Sequence, residues 1–355
     1  MYYSGIDLHK DMCFITTIND SGLIVKQSKL PNNDHAILNY FFSLGSDHKA
    51  VVESTSNWYW LSDLLKDHGI DFVLAHAKYL KAISYAKVKT DKIDSETLAQ
   101  LLRMNLIPPA HQISADKRGM RDLMRARLRL VHKRTSCLNS IHRLLEKFNL
   151  SIPNNRPLHE VATLELLNDL PFNTECKFQF ELLKEQVVLI NRQIKALEKS
   201  LHPLLIPNPD IQRLLHVPGI GKVLSFTIYL EIDGIKRFPT VNKFYSYSRL
   251  VPGSDNSNRR LKHKSGNKDG NQYLKWAFTE AGFRAAQYYQ EINKFYHSKA
   301  RKKHKTIARI LVAKELAKIC FIVLKEKVDF NNTFKGVKLS RKKSKQWPRL
   351  ASPAA

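Results

Sequence analysis

The spacing of apolar positions changes twice along this chain, and each change marks a different kind of structure. Near the start, Tyr2–Asp7, Cys13–Ile18 and Leu23–Lys29 are short runs rich in β-branched and aromatic residues, which read as strands. Asn19-Asp20-Ser21-Gly22 supplies the turn between the second and third. A helical stretch over Asp34–Phe42 follows, then a strand ending at Glu53, a helix near Trp58–Lys66, a strand over Phe72–Ala75 and a helix around Lys78–Tyr85. Another helix opens at Asp91. From Asp116 to Phe148 the period lengthens to three and four residues. Met120, Leu123, Leu128, Val131, Leu138, Ile141, Leu145 and Phe148 form one apolar stripe on a long helix. Leu183, Val187, Ile190, Ile194, Leu197 and Leu201 then alternate steps of four and three, the heptad spacing of a coiled coil. The two long helices are expected to pair, either as a hairpin within one chain or between subunits.

Three strands in a meander, followed by alternating strand and helix, is the order of an RNase H-like (RuvC-like) α/β fold. The meander pairs antiparallel, and later strands join in parallel through helical crossovers. In that order the first and fourth strands are neighbours, which sets Asp7 beside Glu53. Pro203, Pro207 and Pro209 read as a linker, and a mostly helical unit follows from about Ile211 to Lys327. The predicted plan is an α/β domain over 1–115, helices or a coiled coil over 116–205, a mostly α C-terminal domain over 206–330 and a basic tail over 331–355. The stretch from Phe334 to Ala355 is expected to be disordered in isolation.

Charge separates these parts. The net charge is +26, yet residues 1–100 hold 10 Lys, no Arg and 12 Asp plus Glu, so the whole excess lies beyond residue 100. An excess of that size on the later residues favours binding of a polyanion. Arg118, Arg121, Arg125, Arg127, Arg129, Lys133, Arg134 and Arg143 place much of it around the first long helix. The four cysteines, Cys13, Cys137, Cys176 and Cys320, form no CxxC pair, which excludes a thiolate zinc site by spacing. No apolar run is long enough for a membrane span, and the N-terminus lacks the pattern of a secretory signal. The expected location is the cytoplasm, in association with a bacterial-type nucleoid.

The chemistry concentrates in four acidic residues. Asp7 and Glu53 lie in strands; Asp91 and Asp94 lie one turn apart where a helix opens, so both project from one face. Such a set can hold two Mg²⁺ ions about 4 Å apart around a scissile phosphate. The fourteen histidines contain no ligand pair and receive no metal role; His9 and His263 lie near the sites and could assist proton transfer, although a passive role is the commoner case for both.

The C-terminal unit has two polar motifs. His216-Val217-Pro218-Gly219-Ile220-Gly221-Lys222 has the form of a helix–hairpin–helix, in which a tight turn at Pro218, Gly219 and Gly221 exposes backbone N–H groups at the start of the next helix, and Lys222 a cation, to a DNA phosphate; a plain Pro-Gly turn between helices is the alternative. A nucleotide P-loop is excluded, because Val223 stands where a Ser or Thr binds Mg²⁺. Farther on, Leu250-Val251-Pro252 leads into a loop with Ser254, Ser257, Arg259, Arg260, Lys262 and Lys268. Cations around a serine favour its attack on phosphorus, although a basic DNA-contacting loop with idle serines is the commoner case. Trp276, Phe278, Phe283, Tyr288 and Tyr289 read as core rather than as base-stacking platforms. Arg301-Lys302-Lys303-His304-Lys305 is either a phosphate contact or a solvated run.

Gly5-Ile6-Asp7-Leu8-His9-Lys10, Val52-Glu53-Ser54-Thr55 and Lys89-Thr90-Asp91-Lys92-Ile93-Asp94 resemble, in order and spacing, motifs of the DEDD-type transposases of the insertion-sequence-110 family, relatives of the Piv invertases. So do Pro218-Gly219-Ile220-Gly221 with Phe238-Pro239, and Leu250-Val251-Pro252 with Ser257 and Lys268–Leu274. The resemblance spans roughly 1–325. It implies a site-specific DNA recombinase of a mobile element, with Asp7, Glu53, Asp91 and Asp94 as Mg²⁺ ligands. It also implies a nucleophilic serine, an element-encoded bridge RNA pairing with donor and target DNA, and a homo-oligomer, dimer or tetramer. Counting from Pro252 puts the serine at Ser257. The family's Ser-Gly-Gly-Lys context is altered here to Ser257-Asn258-Arg259, which leaves Ser254 as an alternative. The reading implied is Mg²⁺-dependent strand exchange through a phosphoserine–DNA intermediate. Its rivals are a RuvC-like junction nuclease using water and a non-catalytic nucleic-acid-binding protein.

Overall fold

A computed structural model of the chain describes residues 1–45, 47–83, 90–152, 156–252 and 269–340, in two compact units, Met1–Ile113 and Ser114–Ala355. In the first unit the strands are β1 (Tyr2–Leu8), β2 (Met12–Ile18), β3 (Ile24–Pro31), β4 (His48–Glu53) and β5 (Asp71–Ala75). Helices α1 (Asp34–Phe42), α2 (Trp58–Asp67), α3 (Ala77–Ile83) and α4 (Asp91–Arg103) lie between and after them. The sheet order is β3-β2-β1-β4-β5, with β1–β2 and β2–β3 antiparallel and β1–β4 and β4–β5 parallel. This is the predicted arrangement of meander and crossovers.

Alternation in β1 decides what each face does. Ile6 and Leu8 point into a core with Ile37 and Phe41 of α1 and Leu61 and Leu65 of α2. Each such buried side chain contributes about 1.5–3 kcal/mol. Tyr3, Gly5 and Asp7 share the opposite face, where Tyr3 packs beside Val51 against Leu98, Leu101 and Leu102 of α4. Gly5 is required by that packing: a Cβ there would lie 2.0 Å from the Ser95 carbonyl oxygen and 2.5 Å from the Ala99 nitrogen. Buried Thr16 of β2 holds the same helix through its Oγ1, 2.7 Å from Ser95 Oγ.

The second unit is helical: α5 (Ala115–Lys147), α6 (Val161–Leu166), α7 (Thr174–Leu205), α8 (Pro209–Leu215), α9 (Lys222–Ile232), α10 (Val241–Tyr247), α11 (Gln272–Tyr288), α12 (Gln290–Ala300) and α13 (Lys305–Glu326). A short hairpin, β6 (Thr333–Phe334) and β7 (Val337–Lys338), follows. Helices α5 and α7 pair antiparallel within the chain, with Met124 beside Leu201 at one end and Ile141 beside Val187 at the other. The stripe on α7 is buried at Val187, Ile190, Ile194 and Leu201, as its spacing predicts. On α5 the expected Leu123 is exposed and Met124 takes the core position.

Three sequence expectations need correction. Pro203 does not mark a linker; it lies in the last turn of α7, and Pro209 opens α8 at its first turn, where a missing N–H costs nothing. Phe334 and Leu339, assigned to the tail, are buried, and Ser340 Oγ donates to Glu291 at 2.5 Å. Much of the positive charge on α5 is internal. Arg125 makes two bonds to Glu231 at 2.6 and 2.7 Å, Arg127 meets Glu198 at 2.6 Å, and Arg118 and Arg121 are buried. Arg129, Lys133 and Arg143 remain exposed.

Candidate active site at the carboxylate end of the N-terminal sheet

Thr90 caps α4, its Oγ1 accepting from the Ile93 N–H at 3.3 Å. That fixes Asp91 and Asp94 in the first turn, where the exposed N–H groups favour negative charge. Because α4 rests on Gly5, its opening turn lies over the end of β1. Asp7 Oδ2, His9 Nε2 and Asp91 Oδ1 meet there, with His9 3.2 Å from Asp7 and 3.3 Å from Asp91. One ligand atom from each lies within 4.8 Å of the other two.

Glu53 follows Val52, which pairs with Ile6, so it stands at the register of Asp7 on β4. Its parity with Val51 assigns it to the α4-covered face. Glu53 and Asp94 do not belong to the tight group formed among the described residues. Asp94 is nonetheless close enough to act on Asp7. Burial pushes the Asp7 carboxyl above its ordinary value, His9 pulls it back, and the charges of Asp91 and Asp94 add to the rise. Cys13, across from Leu8, is pushed up to about 11 by burial with Asp7 contributing, which leaves it an inert thiol.

The donor set fits a divalent cation. Two crowded carboxylates, one of them held above its ordinary value, are relieved by a positive ion. Asp7 and Asp91 offer the hard oxygens that Mg²⁺ takes, whereas an imidazole suits softer ions such as Zn²⁺. His9, read from sequence as passive, is thus part of the group. The spacing contained a usable signal, since residues two apart at a strand end share a face. Its anchoring was not visible: the His9 carbonyl accepts from Asn57 Nδ2 at 2.7 Å and from Asn32 Nδ2 at 3.0 Å.

The glycines of the Pro218–Lys222 turn have separate roles. Gly219 has φ +78°, and a Cβ on it would lie 2.1 Å from the Ala281 carbonyl oxygen of α11. Gly221 opens α9 with nothing within 4 Å of a Cβ, and Lys222 Nζ lies 3.0 Å from His202 Nε2. Gly221 and Lys222 are exposed, whereas Pro218 is buried. Ser254, Ser257, Arg259, Arg260, Lys262 and Lys268 lie outside the described residues. The chain on either side of them is held together: Asn271 N–H donates to the Tyr247 carbonyl at 2.6 Å and Arg249 Nε to the Gly270 carbonyl at 2.7 Å.

An RNase H-like sheet carrying strand and helix carboxylates at one end defines a class of nucleic-acid-processing enzymes. Two family models narrow the class: the DEDD transposase model of the IS110 type matches residues 4–150, and the Transposase IS116/IS110/IS902 family model matches 211–297. The chain belongs to the IS110 family of insertion-sequence transposases. It is 21% identical to the transposase for insertion sequence element IS1111A of Coxiella burnetii, over 75% of this chain and 70% of that one. It is 24% identical to a probable family 20 transposase of Pseudomonas aeruginosa, over 76% and 80%. A third relative, the transposase for insertion sequence element IS1328 of Yersinia enterocolitica, is 23% identical over 66% and 71%. As a transposase the protein binds and processes DNA. Among the described residues no helix is long and apolar enough to cross a membrane.

Proposed function

We propose that this transposase cleaves and exchanges DNA strands in a Mg²⁺-dependent reaction through a covalent serine–DNA intermediate. Asp7, Glu53, Asp91 and Asp94 are the ligands in this reading, and the observation that carries it is the convergence of Asp7 and Asp91 at the end of β1. Bound there, the ion supplies charge stabilisation at a phosphate oxygen. Asp7 and Asp91 orient it, and His9 holds the two carboxylates in register until it binds. Ser257, flanked by Arg259, Arg260 and Lys262, is the nucleophile. Its Oγ forms a bond to phosphorus as the bond to a deoxyribose oxygen breaks and that oxygen takes a proton. No water is consumed, so the ester is conserved, and attack by a hydroxyl of the exchanging strand restores the serine. Gly221, Lys222 and Lys268 contact DNA phosphates without reading sequence. A structured RNA encoded by the element guides the choice of donor and target, and the protein acts as a homo-oligomer.

The test is to stall strand exchange in Mg²⁺ and map any protein–DNA adduct by digestion. The expected adduct lies in a peptide containing Ser257 and disappears in Ser257→Ala while DNA binding persists. An adduct at Ser254 moves the nucleophile by three residues and keeps the mechanism. Cleavage without any adduct, unchanged in both serine variants, overturns the serine step in favour of a water-driven nuclease. Depletion of RNA that copurifies with the protein should abolish target selection.

A further inference from the structure

Helices α11, α12 and α13 enclose a cavity of about 110 Å³ that the transposition chemistry does not use. Gly282 and Val312 line it where α11 and α13 approach closely; a Cβ on Gly282 would lie 3.2 Å from the Ala313 nitrogen and 3.4 Å from Val312 Cγ1. The volume suits one flat ring system and is far below the roughly 300 Å³ of a pocket for a whole small ligand. Its walls are unusual for a leftover packing void. Phe283 is 40% exposed at the mouth, and the Arg309 guanidinium lies over its ring, 5.6 Å from the centroid. Tyr296 brings a second aromatic ring, and Gln287 and Asn293 bring side-chain amides. Asn293 is fixed by its Nδ2 bond to the Ala286 carbonyl at 3.0 Å.

The surroundings set the charge of the occupant. Arg301-Lys302-Lys303-His304-Lys305 joins α12 to α13 and is exposed throughout. Lys305 and Arg309 are four apart on α13, so they share a face beside the cavity. A stripe of cations leading to a ring-sized cavity lined by aromatic, guanidinium and amide groups is matched by a nucleotide. The phosphates track the cations, while the base stacks on the ring or guanidinium plane and presents its edge to the amides.

We propose that this cavity accepts a single unpaired nucleobase of a DNA strand, anchored by phosphate contacts along residues 301–305. A paired base cannot enter, because its edge and faces are already occupied within the duplex. The site therefore favours DNA with an unpaired nucleotide, such as strand exchange exposes, over a fully paired duplex of equal length and charge.

The experiment uses the full chain and two labelled DNA duplexes, identical except for one unpaired adenine, replaced by fluorescent 2-aminopurine in a parallel sample. The unpaired DNA is expected to bind more tightly than the paired one, with a drop in 2-aminopurine emission as the base stacks. Phe283→Ala should weaken binding of the unpaired DNA by roughly five- to a hundred-fold, the range for losing one base–aromatic stack, and change paired binding less than about two-fold. An abasic nucleotide at the same place needs no protein variant and should erase the preference in the wild type. Combined with Phe283→Ala it should add no further loss. Equal binding of the abasic and adenine-bearing DNA overturns the proposal, as does equal loss for paired and unpaired DNA in Phe283→Ala. An RNA duplex with the same unpaired adenine that binds more tightly than the DNA, with the same dependence on Phe283, overturns the assignment to DNA.

Discussion

Gly5 and Gly219 stand in unlike units, yet each lets a helix backbone come closer than any side chain permits. A Cβ on Gly5 would meet the Ser95 carbonyl at 2.0 Å, and a Cβ on Gly219 the Ala281 carbonyl at 2.1 Å. In both cases the next atom is the helical nitrogen four residues on, Ala99 or Ala285. The consequences differ. The helix over Gly5 begins with Asp91 and Asp94, so close approach assembles charged groups. The helix over Gly219 presents only Ala281, Ala285 and their neighbours, so close approach fills a core. Gly219 is also bound by its φ of +78°, a left-handed conformation that Gly5 does not share. One packing device thus serves chemistry in the first unit and rigidity in the second.

The largest effect expected from this contrast is on catalysis. Asp7→Asn removes a charge from the group that the Gly5 packing assembles, and metal-held charge at a phosphate is worth several kcal/mol of transition-state stabilisation. At 1.36 kcal/mol per decade, strand cleavage in Mg²⁺ should fall by about a thousand-fold or more, while DNA binding stays near wild type. Gel assays of cleavage and binding on one preparation check this. Retained cleavage would remove the chemical half of the contrast.

The two glycines can then be compared directly. Gly219→Ala meets a backbone clash and a left-handed φ together, so it should cost about 2–4 kcal/mol of stability in the second unit. Gly5→Ala meets the clash alone, about 1–3 kcal/mol, but lifts the helix that carries Asp91 and Asp94 away from Asp7. Denaturant melts and divalent-ion titrations separate the cases. Gly219→Ala should lose stability with metal affinity intact; Gly5→Ala should lose metal affinity beyond what its stability loss explains. Equal metal affinity in the two variants would show that the position of α4 does not build the site.

These contrasts also mark how far the sequence could be read. The first unit was legible because its turns and strand periods are local: Asn19–Gly22 closes β2 to β3, and the alternation around Asp7 and Glu53 survives in the register of β1 with β4. The role of His9 depended on Asn32 and Asn57, brought to its carbonyl by other elements. The packing of Gly219 on Ala281 was hidden for the same reason, since Ala281 lies on a helix far along the chain. The arginines of α5 looked like a binding face because Glu231 and Glu198, which neutralise two of them, are likewise remote in sequence. Aromatic spacing failed in part: Phe278 is core, while Phe283 and Tyr288 stand exposed.

The smallest effect separates the two units by pH. Burial, reinforced by Asp91 and Asp94, places the Asp7 carboxyl above its ordinary value in the folded, metal-free protein. The unfolded chain therefore gives up this proton at lower pH, near the ordinary value of about 3.9. Between the two values the folded state binds more protons, so Asp7 makes stability decline as pH rises through that window. Above the window the penalty persists undiminished; below it the penalty is absent. Metal-free Asp7→Asn should consequently melt slightly higher than wild type at neutral pH, with the difference vanishing below about pH 4. Adding Mg²⁺ should reverse the order, because the ion stabilises only the carboxylate. Hydrogen exchange should assign the gain to peptides of β1 and α4 and leave those of α9 and α11 unchanged. A variant that melts lower than wild type at neutral pH without metal would mean that the His9 contact outweighs the burial and crowding of Asp7, and the site would then be assembled before any ion binds.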